Sequence, residues 1–217
     1  MLAQSFAPPP RPAPIARADN LLQAIGVRMA FAKDEEIYGQ GEAANLIYLV
    51  ATGAVRTSHF MVDGRRPIDH FYYPGDIFGL EVGDEHALAA EALSDCVLLV
   101  ATRSALVAEG GERALQAMLR DTMVRDLQNT REHLMLLVCK TARQRVSGFL
   151  LGLAERSADP VVELAMGRQD MADYLGLTIE TVSRMITDLQ NSHLVEFQSC
   201  RQFVVRDRRA LAGIASC

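Results

Sequence analysis

Ile179, Glu180, Ser183 and Arg184 are the residues whose types and spacing point most directly to a chemistry. Glu180 and Arg184 lie four residues apart, so on a helix they share a face. An arginine there can donate two hydrogen bonds to O6 and N7 of guanine, and a glutamate can accept from N4 of cytosine, so the pair matches one G·C base pair. Ser183 is short enough to reach a base edge or a phosphate. Ile179 is apolar at a position where a surface helix gains nothing from it, whereas a thymine methyl would cover it. These four residues predict direct readout of a half-site with thymines beside a G·C pair. The alternative is a surface ion pair between Glu180 and Arg184, which stabilises a helix by only a few tenths of a kcal/mol.

The elements that must position these residues are legible on either side. Met171, Ala172 and Leu175 give a short helix an apolar face. Gly176 supplies a tight turn, Leu177 fills the angle, and Thr178 is a good N-cap for the next helix. Val182, Met185, Ile186 and Leu189 repeat at helical spacing and predict its buried side. This is a helix-turn-helix pattern, whose second helix enters a major groove. Two short strands around a polar turn, over residues 191–205, predict a β-wing. Arg168, Gln169, Thr178 and Arg201 are candidate phosphate contacts that set register. Arg206, Arg208 and Arg209 either add to these or are solvated.

Upstream, residues 112–140 contain no Pro or Gly. Met123, Leu127, Thr130, Leu134 and Leu137 alternate at spacings of four and three, with Arg125, Asp126, Arg131 and Glu132 beside them. Such a narrow seam predicts a dimer coiled coil, with polar Thr130 helping to fix register. The alternative is a helix packed on its own domain. A second helix, over residues 141–155, carries Val146, Phe149, Leu150 and Leu153 on one face, and Val161–Leu164 reads as a short strand. Before residue 103 the pattern is short apolar runs (28–32, 45–52, 54–62, 67–73 and 96–101) separated by Gly, Asp and Pro. That predicts a β-sandwich or barrel, with Val62-Asp63-Gly64-Arg65 as a hairpin tip. A short helix over 18–26 precedes the strands, and residues 1–17, rich in Pro and Ala, predict a flexible arm.

Composition narrows the classes. The chain has 217 residues and a net charge of −5, which argues against a generally polycationic nucleic-acid binder. The charge is uneven. Residues 1–139 hold 12 basic and 18 acidic side chains, a net of −6, and residues 140–217 hold 10 and 9, a net of +1. The C-terminal part is the one expected to approach phosphates. No run of about 18 apolar residues predicts a membrane span, and the N-terminus lacks the basic and apolar regions of a signal peptide, so the expected compartment is the cytoplasm. Cys96, Cys139, Cys200 and Cys217 form no CxxC pair, so neither a zinc site nor a disulfide framework is predicted. Cys200 is the candidate redox-sensing thiol. No nucleophile–base or metal constellation is present, so no enzyme activity, metal or cofactor is expected.

With the helix-turn-helix in place, the chain resembles the CRP/FNR family along nearly its whole length. The motifs are Gly39-Gln40-Gly41-Glu42, Gly53, Tyr73-Pro74-Gly75-Asp76-Ile77-Phe78-Gly79, the long helix, and Ile179-Glu180-Thr181-Val182-Ser183-Arg184. The last is the most specific. Glu-Thr-Val-Ser-Arg matches the FNR and FixK branch, where the CRP branch usually has Gly at the Ser183 position. Residues 176–184 with Cys200-Arg201-Gln202 look FixK-like. The resemblance implies an α+β fold: an N-terminal double-stranded β-helix (jelly-roll) barrel, a long dimerisation helix and a C-terminal winged helix-turn-helix. The implied domains are a barrel sensor over 18–111, the dimer helix over 112–140 and the DNA-binding domain over 141–217. It also implies a homodimeric activator of low-oxygen and nitrogen-fixation genes on a TTGAT-N4-ATCAA-type palindrome. RNA polymerase would be touched through a surface at Phe60, Met61, Val62, Asp63, Gly64 and Arg65. The sensor departs from the family's known effectors. No cysteine precedes Cys96, which argues against an iron–sulfur cluster. Gly79–Ala92 holds no Arg to neutralise a cyclic phosphate and carries Glu81, Asp84, Glu85 and Glu91 instead. His59, His70, His86 and His133 are nominal haem ligands, more simply read as surface or core histidines. Two rival readings remain: a sensor gated by a small molecule or haem, and a cyclic-nucleotide-binding module that does not bind DNA.

Overall fold

A computed structural model of the protein describes residues 18–216 except Val82; the predicted arm over residues 1–17 lies outside the described residues. The chain divides into two compact units, the first ending at Asp126 and the second beginning at Leu127. The division falls inside one long helix.

In the first unit, α1 (Ala18–Ile25) leads into β1 (Val27–Phe31), β2 (Glu36–Tyr38), β3 (Leu46–Thr52), β4 (Val55–Ser58), β5 (Ile68–Tyr72), β6 (Ile77–Phe78), β7 (Ala89–Ala92) and β8 (Cys96–Thr102). α2 (Arg103–Gly110) and the start of α3 (Glu112–Cys139) follow. The strands form two antiparallel four-stranded sheets, ordered β1-β8-β3-β6 and β2-β7-β4-β5. The expected barrel is therefore corrected: the sheets are open and not closed into one. The reason lies at the corners. β3 gives way to β4 at Gly53, whose φ is +82°. A Cβ there would sit 2.5 Å from the Asp95 carbonyl oxygen and 2.6 Å from Cys96 Cβ. Only glycine fits that turn, and it carries the chain from one sheet to the other instead of extending a ladder between them. β6, at the edge of its sheet, has two residues, paired to Tyr48 and Leu49, too few to continue the ladder around.

The inner faces of the two sheets share a core of Tyr38, Tyr48, Val50, Val55, Phe78, Ala90, Ala92, Leu98 and Val100. The rings of Tyr38, Tyr48, Tyr72 and Phe78 contact one another at centroid distances of 5.0–6.2 Å. His86, one of the nominal haem ligands, is buried and stacked on Tyr38 at 3.6 Å. Burial holds its pKa below the usual histidine value, against the opposing pull of Glu81. A second core joins Leu22 of α1 to Ile47, Leu49, Leu99, Leu106, Leu115 and Met118.

In the second unit, the rest of α3 is followed by α4 (Ala142–Arg156), β9 (Val161–Glu163), α5 (Arg168–Leu175), α6 (Ile179–Asn191), β10 (Val195–Ser199), β11 (Gln202–Val205) and α7 (Arg208–Ser216). Thr141 caps α4 in a capping box: its hydroxyl accepts from the Gln144 N–H while the Gln144 side chain accepts from the Thr141 N–H at 2.7 Å. Val146, Phe149, Leu150 and Leu153, the face read from the sequence, are all buried. The wing is three-stranded, in the order β10-β11-β9, with Phe197 stacked on Phe203. α7 is tied back by Lys140 Nζ donating to the Ala215 carbonyl (3.0 Å) and Arg208 Nη2 donating to the Ala154 carbonyl (3.1 Å).

Candidate nucleic-acid interface

α6 is built to present one end. Gly176 ends α5 in the left-handed conformation (φ +61°, ψ +42°), and its N–H bonds back to the Ala172 carbonyl. Leu177 N–H closes on the same carbonyl at 3.0 Å. Thr178, extended at φ −90°, ψ +157°, then caps α6 by accepting from the Thr181 N–H. The angle between the helices is locked by six side chains with no exposure: Met171, Ala172 and Leu175 from α5, and Val182, Ile186 and Leu189 from α6. Met185 is half-buried. Removing the cap leaves an orphan N–H at the end that carries the candidate readers. Thr178→Ala is expected to lower stability by about 1 kcal/mol, read as the shift in urea midpoint of the full chain at unchanged m-value.

The opposite face of α6 is open. Ile179, Glu180 and Arg184 are exposed and Ser183 is half-buried. The Thr178 side chain and the Glu180 backbone N–H hold the Glu180 carboxyl below its ordinary pKa, with a smaller pull from Arg184. It is thus an anion, able only to accept. No ion pair within 4.0 Å joins Glu180 to Arg184, and among the described residues Arg184 has no side-chain hydrogen bond. Its guanidinium is uncommitted.

The candidate phosphate contacts differ among themselves. Arg168 begins α5 with no side-chain partner among the described residues. Gln169 is exposed and its amide donates to Asp173 at 2.7 Å. The Thr178 hydroxyl is engaged with Thr181. Arg201, in the wing turn, is half-buried and gives one nitrogen to the carbonyls of Leu164 (3.4 Å) and Ala165 (2.5 Å), pinning the wing to the segment before α5. Arg206 pairs with Glu196 at 2.6 Å. Cys200 is exposed at the wing turn.

On α3, Met123, Leu127, Thr130, Leu134 and Leu137 are all exposed in the single chain, Leu127 by 72%. Val124 and Val138, one residue beyond Met123 and Leu137, widen the stripe. Inward-facing residues of the same helix behave differently. Leu136 is buried, and His133 is stacked on Tyr174 at 4.3 Å while its Nε2 lies 2.7 Å from the Tyr174 carbonyl oxygen. Sequence reading missed Arg143, whose Nε lies 2.8 Å from Asp188 Oδ2 of α6, and Arg145. Their partners are far along the chain or are backbone carbonyls, so spacing carries no signal for them.

Among the described residues there is no group of three His, Cys, Asp or Glu side chains that could hold a metal. No helix among them is long and apolar enough to cross a membrane.

An open recognition face on a capped second helix, with a β-wing behind it, defines the class: a winged helix-turn-helix DNA-binding protein. The profile of the Crp-like helix-turn-helix domain matches residues 144–214, and that of the cyclic nucleotide-binding domain matches residues 28–109. The nitrogen fixation regulation protein FixK of Azorhizobium caulinodans is 44% identical over 208 residues, spanning 93% of this chain and 84% of the relative. FixK of Rhizobium meliloti is 37% identical, covering 83% of each chain. The structure of FixK2 from Bradyrhizobium japonicum superposes with a TM-score of 0.85 at 40% identity, covering 89% of this chain and 98% of that one. The chain belongs to the CRP/FNR family, in its FixK-like branch, and is a sequence-specific DNA-binding regulator acting through the helix-turn-helix.

Proposed function

We propose that the protein is a homodimeric transcription activator that binds a TTGAT-N4-ATCAA-type palindrome and controls low-oxygen and nitrogen-fixation genes. The observation that carries this is the open face of α6, where an anionic Glu180 and an uncommitted Arg184 sit one turn apart beside exposed Ile179. The exposed stripe on α3 supports the dimer, because two copies would bury each other's Leu127 and Leu134. The gene class follows from the names of the FixK relatives. Functionally we divide the chain into a sensor over 18–111, a dimer helix over 112–140 and a DNA-binding part over 141–217, acting in the cytoplasm. RNA polymerase is the expected third partner. The tip between β4 and β5 exposes Phe60, Met61 and Val62, and Gly64 and an Asp63–Arg65 ion pair (2.7 Å) shape it. Cys200, exposed at the wing turn, is the place for oxidative control.

The test is binding of the full chain, prepared in air without added ligand, to a TTGAT-N4-ATCAA duplex and a scrambled duplex at one stated salt concentration, since phosphate contacts dominate affinity. Selective binding about 10³-fold or more above the scrambled duplex is the expected outcome for an effector-free regulator of this kind. Equal affinity for both sinks the reading. The effector-gated reading draws on the match over residues 28–109. Against it stand the acidic stretch from Glu81 to Glu91 and the aromatic side chains packed between the sheets. Selectivity that emerges only on adding cyclic nucleotide or haem would favour it.

A further inference from the structure

We propose that Arg145 is a positioning residue for operator spacing, fixing the helix-turn-helix to the end of the dimer helix. This deepens the dimer-and-palindrome reading and rests on it. Arg145 lies in the first turn of α4, and its side chain gathers the ends of two other helices. Nε donates to the Lys140 carbonyl at 2.9 Å and Nη2 donates to the Leu137 carbonyl at 2.7 Å, both at the C-terminus of α3. Nη1 donates to the Leu175 carbonyl at 2.9 Å and reaches the Gly176 carbonyl at 3.5 Å, at the C-terminus of α5. The last carbonyls of a helix have no partner within it and carry the negative end of its dipole. One cation serves both ends, and only a planar fork of donors can do so.

Two further contacts run along the same junction. His133 of α3 stacks on Tyr174 of α5, with Nε2 at 2.7 Å from the Tyr174 carbonyl oxygen. At Gly176, an added Cβ would lie 3.0 Å from Cδ2 of Leu137. Leu137 is also the last residue of the proposed dimer seam. The seam and the turn before the recognition helix thus meet within a few residues, held by the hydrogen bonds of Arg145 to backbone carbonyls and by the His133–Tyr174 stack.

The consequence concerns geometry between half-sites. A dimer reads a palindrome only if its two recognition helices are held about one helical turn apart, and each added base pair rotates one half-site by about 35° relative to the other. A rigid junction between α3 and α5 makes that distance a property of the seam. A loosened junction would let each helix-turn-helix swivel to follow its half-site. Base readout within a half-site would remain, since Arg145 does not reach the open face of α6.

The experiment uses the full chain on duplexes with three, four and five base pairs between TTGAT and ATCAA, plus a scrambled duplex, at one salt concentration. The wild type is expected to bind the four-base-pair spacer about tenfold or more tighter than the other two. Arg145→Lys keeps the charge and the stem but not the fork. It is expected to reduce that preference to about threefold or less, with affinity for the scrambled duplex and the base preference within each half-site unchanged. His133→Phe, which keeps the ring stack and loses the hydrogen bond, should shift the preference in the same direction and carries the test if Arg145→Lys melts below the assay temperature. Full spacer selectivity in the variants overturns the proposal, as does a uniform loss on every duplex. A wild type that binds the palindrome no better than a scrambled duplex overturns the reading beneath it, a separate outcome visible before any variant is made.

Discussion

Replacing Arg184 by alanine is expected to weaken binding to the TTGAT-N4-ATCAA duplex by about 1–3 kcal/mol per half-site, and to weaken binding to a scrambled duplex much less. In the free protein the guanidinium stands in water with no hydrogen bond or close ion pair among the described residues, only a weak pull on Glu180. No intramolecular bond has to be broken before it meets DNA. Removing it should leave the fold unchanged, because the buried side of α6 is carried by Val182, Ile186 and Leu189. A side chain that contacts only phosphate would behave differently. Its loss would weaken all sequences alike and reduce the salt dependence by about one counterion. Titrations of the wild type and R184A on cognate, single-substitution and scrambled duplexes at two salt concentrations separate the two roles. If the loss is equal on cognate and scrambled DNA, Arg184 does not read a base. Glu180→Gln offers a check on its neighbour. It loses the carboxylate that would accept from cytosine N4, so discrimination should relax at the paired position without a general loss.

The legibility of this site in the sequence had a physical cause. A recognition helix must bury one face and bare another, so its apolar period and its readers occupy different positions. Thr178 and Gly176 are needed at its start for reasons of backbone geometry alone. All of that is local, and periodicity detects it. The exposed apolar stripe on α3 is legible for the same reason. What failed to show was non-local. The strands β2, β6 and β7 are two to four residues long, and β7 is Ala89-Ala90-Glu91-Ala92, a composition that favours helix. It is a strand because β4 and β2 pair with it on either side, a tertiary decision. Whether two sheets close into a barrel depends on which edges meet, which a list of short apolar runs cannot tell, and the expectation of closure was wrong. Of α7 the sequence shows only Arg208 and Arg209, although Leu211 and Ala215 are buried. Arg145 was invisible because its partners are carbonyl oxygens, which every residue has.

Two aspartates in the α3 seam, at Leu127 and Leu134, are expected to convert the protein to a monomer and to reduce palindrome affinity about 10²- to 10⁴-fold, leaving the fold of each chain intact. The stripe is exposed in the single chain, with Leu127 at 72% and Leu134 at 58%, so an aspartate at either place disturbs no intrachain core. In a parallel pair the same positions face their copies, and four carboxylates would be brought together in an apolar seam, which desolvation and like-charge repulsion both oppose. The effect on DNA is larger than the loss of any one contact. Once one half-site is held, the second recognition helix binds from an effective concentration set by the linkage between the two, and unlinking them removes that advantage. Gln128→Asp is the control: it places a carboxylate, one against the double variant's two, on the same helix one residue off the seam. Sedimentation gives the oligomeric state, and titration against a palindrome and an isolated half-site gives the affinities. The expected pattern is a monomeric double variant that no longer prefers the palindrome over the half-site, beside a dimeric control that does. A double variant that stays dimeric would mean that the partner copy sits elsewhere on the chain, and the exposed stripe on α3 would then need another occupant.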